Sequence, residues 1–142
     1  MKRTLNGKIV LFFTLVLWVM LVRCLTGCSQ AEEPEKLRDL EFTVVGDQEV
    51  PEELKGMIME KKASPFKLTY TDEQSLYIVE GYGEQPTGGY SIAVQEMYLT
   101  ENSIVFRAEL IGPEKGEDAG NEKSYPYIVV KTEFLEEPVI FQ

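Results

Sequence analysis

From Pro65 onward, apolar residues recur at every second position, a period that admits a half-buried β-strand and excludes an amphipathic helix. Tyr90, Ile92 and Val94 alternate with Ser91, Ala93 and Gln95. Ile104, Phe106, Ala108 and Leu110 alternate with Val105, Arg107 and Glu109. The pattern predicts strands over Phe66–Thr71, Ser75–Tyr82, Tyr90–Leu99, Ile104–Ile111, Tyr127–Phe134 and Val139–Phe141, each burying one face and wetting the other. Connections between them are short, and no late segment can serve as a crossover helix, so antiparallel pairing is expected throughout.

Ahead of Pro65 the period is helical. A strand over Glu41–Gly46 precedes Pro51–Lys62, where proline opens the segment, Glu52 and Glu53 come early and Lys61 and Lys62 late, in keeping with the helix dipole. Leu54, Met57 and Ile58 form one apolar stripe, and Gly56 weakens the helix by about 1 kcal/mol relative to alanine. The expected fold is mainly β: a compact antiparallel sheet or small β-sandwich of six to seven strands with one short N-terminal helix.

The N-terminus reads as an export signal. Lys2, Arg3 and Lys8 precede an apolar run from Ile9 to Val22, and small residues lead to Cys28. As a helix that run spans about 21 Å, short of the ~30 Å hydrocarbon core of a bilayer. Leu25-Thr26-Gly27-Cys28 resembles a bacterial lipobox, which implies cleavage before Cys28 and acylation of its sulfur. Two or more acyl chains give lasting membrane attachment where one gives only marginal binding. The other reading is an uncleaved anchor, which Arg23 keeps open. The expected organisation is a signal peptide over 1–27, a flexible tether over 28–39 and one globular β-rich domain over 40–142, on the extracytoplasmic side of the cell membrane.

Cleavage would remove four of the 14 basic residues and none of the 24 acidic ones, leaving a net charge of −14. Such a chain repels phosphate backbones, so nucleic acid is excluded as a partner. Of the two cysteines, Cys24 leaves with the signal and Cys28 is consumed by lipid, so the mature domain has no thiol nucleophile and no disulfide. The chain has no histidine, which removes serine–histidine and cysteine–histidine mechanisms and histidine metal sites. Asp72-Glu73 and the group Glu114, Glu117 and Asp118 sit in turns without the ligand spacing of a calcium loop. The residues therefore point to no catalytic group, no metal and no cofactor.

The distinctive loop is Gly81-Tyr82-Gly83-Glu84-Gln85-Pro86-Thr87-Gly88-Gly89-Tyr90. It is longer than a hairpin turn requires, and Tyr82 and Tyr90 supply rigid aromatic surface of the kind binding sites favour. Ser124-Tyr125-Pro126-Tyr127 places a proline at a strand start, where no ladder donor is needed. Pro86-Thr87-Gly88-Gly89-Tyr90-Ser91-Ile92, then Gly112-Pro113, then Ser124-Tyr125-Pro126-Tyr127-Ile128-Val129 resembles the C-terminal domain of the PrcB family over about Leu76–Phe134. The resemblance implies a non-catalytic exported accessory protein that associates with and stabilises a secreted protease.

The expected binding residues are Tyr82, Pro86, Thr87, Gly88, Gly89, Tyr90, Tyr125, Pro126 and Tyr127, acting as one rim if the loop and the strand start lie at the same end of the sheet. Two other readings compete with an accessory role. A rigid Thr87–Tyr90 turn could act as a protease-inhibitor loop, and a pair of acids about 5 to 9.5 Å apart in a cleft could make a carboxylate-based hydrolase.

Overall fold

The computed structural model describes residues 34–116 and 118–142. The expected export signal, Cys28 and the first part of the expected tether lie outside them, as does Glu117. In chain order the elements are β1 (Arg38–Asp39), β2 (Thr43–Val44), α1 (Glu52–Lys61), β3 (Pro65–Thr71), β4 (Ser75–Tyr82), β5 (Ser91–Leu99), β6 (Ile104–Ile111), β7 (Tyr127–Glu133) and β8 (Val139–Phe141). The mainly β expectation holds, with eight strands among the described residues where six to seven were expected, in two four-stranded sheets ordered β1-β5-β6-β8 and β2-β7-β4-β3.

Leu76 and Ile78 of β4 and Ile128 and Val130 of β7 meet Met97, Ile104 and Phe106 of the opposing sheet, forming a core between the two layers. Phe106 is fully buried and packs edge-to-face on Phe141, with centroids 5.8 Å apart. A second core lies on the other face of β4 and β7, where Leu54 and Ile58 of α1 cover Tyr77, Val79 and Val129. The helix has no side-chain N-cap and depends on this packing, since ten residues are too few to hold a helix in water unaided.

Three expectations change. β4 does not wet either face: Ser75 through Gly81 are all buried, because α1 closes the face that alternation would leave to solvent. Val105 of β6, expected on a wet face, is also fully buried; it lies between Tyr98 and Ile140 of the neighbouring strands, and Lys36 Nζ stands 5.5 Å over the Tyr98 ring. β8 pairs with β6 in parallel, not antiparallel. The return that parallel pairing needs is supplied by β7 in the other layer, so no helix is required.

Residues 38 and 39, expected in the tether, form β1. Arg38 and Asp39 pair with Leu99 and Tyr98, and the Leu37 amide donates to the Leu99 carbonyl. The first long strand expected over Glu41–Gly46 is reduced to the two residues of β2, after which a turn closed by the Glu49 amide on the Gly46 carbonyl leads toward α1.

Candidate binding rim

The rim begins where β4 runs out of apolar cover. Leu76, Ile78, Glu80 and Tyr82 share one face of the strand, since side chains alternate along it. Glu80 is 6% exposed and pairs through Oε1 with Lys67 Nζ at 3.3 Å. Glu80 Oε2 and the Tyr82 hydroxyl are buried with no hydrogen-bond partner among the described residues. Burial, with the charges of Glu80 and Glu109, pushes the Tyr82 hydroxyl up to about 12. Tyr82 thus lies with its polar tip inward, unlike the outward aromatic surface expected of it. On the opposite face Phe66 lies against Gly81, where any Cβ would strike the ring.

Beyond Tyr82 the loop is held by hydrogen bonds to a segment 31 to 41 residues later in the chain. Gln85 and Ser124 exchange backbone hydrogen bonds, 2.8 Å from the Gln85 amide and 3.1 Å from the Ser124 amide. The Ser124 hydroxyl donates to the Thr87 carbonyl at 2.6 Å, and the Gly88 amide to the Ala119 carbonyl at 3.1 Å. Gly89 has φ of 76°, and a Cβ there would lie 3.0 Å from Pro113 Cβ and 3.2 Å from Ala119 Cβ. Glycine is needed here for both backbone and space. Pro86 is exposed at the tip, and the Tyr90 ring lies over Gly112.

The strand start lies at the same end. The Tyr82 amide donates to the Pro126 carbonyl at 3.0 Å, which joins the Ser124–Tyr127 segment to the loop's root. The Tyr125 hydroxyl donates to Glu84 Oε2 at 3.0 Å, Lys123 Nζ lies 2.7 Å from Glu84 Oε1, and Lys62 Nζ stands 5.5 Å over the Tyr125 ring. Lys123 and then Tyr125 hold the Glu84 carboxyl below its ordinary range, while Glu84 raises both Lys123 and Tyr125. The Tyr127 hydroxyl donates to Asp47 Oδ1 at 2.8 Å; burial first, then that bond, pushes it up to about 12.

Glu84, Lys123, Lys62 and Asp47 belong to this rim and did not stand out in the sequence. Glu84 and Lys123 flank the motif residues, so a charge pair between the two motifs was the one available signal. Of the acids considered for other chemistry, Asp72 and Asp118 build turns. Asp72 Oδ1 accepts from the Gln74 and Ser75 amides at 2.9 and 2.7 Å, bonds that hold its carboxyl low, and Asp118 Oδ1 accepts from the Gly120 amide at 3.2 Å.

The candidate site is therefore a surface of tyrosines, backbone groups and a small charge network. No curated protein and no solved structure matches the chain. Residues 76–133, which run from β4 through β7 and contain both motif segments of the rim, match the PrcB C-terminal family, the family that the order of those motifs resembles.

Proposed function

We propose that this chain is a membrane-tethered accessory protein without catalytic activity, which binds an exported protease through the rim and prolongs its active life. The observation that carries the reading is the joining of Thr87–Tyr90 to Ser124–Tyr127 within the stretch that matches the PrcB C-terminal family. Lipid attachment at Cys28 is part of the proposal and rests on Leu25-Thr26-Gly27-Cys28. Aromatic anchors set in a polar frame are a common source of binding energy at protein interfaces.

A stabiliser is favoured over an inhibitor by the way the loop is held. An inhibitor loop offers extended backbone to a cleft, whereas Gln85, Thr87 and Gly88 already spend backbone groups on Ser124 and Ala119.

The test is to follow the half-life of exported protease activity in cells carrying the wild-type chain, a Tyr90→Ala chain or no chain, with photo-crosslinking from position 90. The half-life should fall in the last two, and the crosslink should join the chain to the protease. Higher protease activity without the chain would identify an inhibitor. A Tyr90→Ala chain that folds and stabilises the protease as well as wild type would remove the loop from the interface. Mass spectrometry of the membrane fraction should find a diacylglyceryl group on Cys28; an intact, unmodified N-terminus would remove the anchor.

A further inference from the structure

β7 is paired along one edge for its whole length and along the other for only part of it. On the β4 side the register runs from Glu133 opposite Ser75 to Tyr127 opposite Gly81. On the β2 side it covers Lys131 and Val130, then one further bond from the Val45 amide to the Val129 carbonyl at 2.9 Å. Backbone groups alternate in direction along a strand. The Pro126 carbonyl faces β4, where the Tyr82 amide meets it, and Val129 faces β2. Tyr127, two residues from Val129, therefore turns its N–H and C=O toward the β2 side, and Tyr125 continues that edge.

No described strand pairs there, because the turn at Gly46–Glu49 has carried the chain away. A notch of about 290 Å³ remains, lined by Val44, Val45, Asp47 and Tyr125 through Val129. Its apolar wall is Val44, which is 57% exposed, and its charged wall is Asp47.

We propose that this notch takes a short extended segment of the partner protein, which continues the line of β2 and pairs with the backbone of Tyr125 and Tyr127. Strand addition to an open edge gives affinity through main-chain hydrogen bonds and selectivity through alternate side chains. Here the selective features are an apolar residue against Val44 and a basic residue against Asp47. A basic residue also suits a chain with 24 acids against 14 bases. The inference deepens the accessory reading above, since the edge belongs to the same rim, and it names the form in which the partner is recognised.

The test uses the full chain in detergent micelles and a displayed library of randomised seven-residue peptides. Selected peptides should be enriched in Lys or Arg, and binding should slow amide exchange at Tyr127 at least tenfold. N-methylation at alternate peptide bonds should abolish binding. Asp47→Lys should weaken binding at least tenfold. Asp47→Asn, which retains an acceptor for the Tyr127 hydroxyl, should weaken it severalfold and guards against misreading a folding defect.

The proposal is overturned if no peptide is enriched, if protection falls on β3 or Thr87–Gly88 and leaves Tyr127 unchanged, or if sedimentation shows that a second copy of the chain covers the edge. Loss of protease stabilisation with peptide binding intact would remove the accessory reading and leave the notch. Stabilisation that persists without any peptide binding would do the reverse.

Discussion

The middle of β4 and its rim end belong to one continuous stretch of chain but are held by different forces. Leu76–Val79 are enclosed on both faces by apolar side chains, from the second sheet on one side and from α1 on the other. Gly83–Gly89 have little such cover and are fixed by hydrogen bonds to Ala119 and Ser124 and by two glycines with positive φ, Gly83 and Gly89. Burial is non-directional and tolerates modest repacking, whereas the hydrogen bonds and the glycines specify one geometry. Global stability is thus concentrated in the middle, and the shape available to a partner is concentrated at the rim.

The sharpest way to break this contrast is to empty the core while watching the rim. Phe106→Ala should cost about 3–5 kcal/mol in urea denaturation, and Leu54→Ala about 2–5 kcal/mol, because each removes a fully buried side chain. The Leu54 change acts from the helix side alone. If it left stability within about 0.5 kcal/mol of wild type, the second core would contribute little and the contrast would fail.

Gly89→Ala should cost about 1–2 kcal/mol through backbone strain and abolish partner binding through displacement of Pro113 and Ala119. A variant that loses stability but binds normally would separate the loop from the interface. Near the boundary between the two regions, Lys67→Met should cost about 1 kcal/mol, since it leaves the buried Glu80 carboxylate without its cation. Glu80→Met should be neutral or mildly stabilising, because it removes a buried oxygen with no partner and leaves only a half-exposed lysine. The opposite order of these two variants would show that the carboxylate has an unrecognised donor.

The smallest effects are those of pH on the rim. The Glu84 carboxyl is held low, so its contribution is present above the ordinary carboxylate range and fades as pH falls through the lower folded value. Lys123 and Tyr125 are raised, so theirs is present below their ordinary ranges and fades as pH rises through the higher folded values. The Tyr125 ring shift in NMR should therefore stay flat across neutral pH and move at both extremes. In an absorbance titration, Tyr82 and Tyr127 should ionise near pH 12. Ionisation of Tyr82 near 10 would show that its hydroxyl reaches water.

Much of the fold was legible in the sequence because it follows from local periodicity. The strands at Ser75–Tyr82 and Ile104–Ile111 agree with the structure at both ends, and the Pro51–Lys62 segment contains α1. The site was legible as two motifs, Pro86–Tyr90 and Ser124–Tyr127, but their partners were not. Asp47 precedes Tyr127 by 80 residues and Glu84 precedes Tyr125 by 41, separations at which no local pattern records a contact.

Residue order alone determined that the described part of this chain is mainly β with one short helix, and that the chain is strongly acidic and contains no histidine, because period, dihedral preference and charge are properties of near neighbours. Only the tertiary structure decided that β4 is buried on both faces, that β8 runs parallel to β6, and that no described strand pairs with β7 beside Tyr127. Those outcomes depend on which layer each strand joins, and that choice is made by long-range packing of faces whose partners lie far away in the chain.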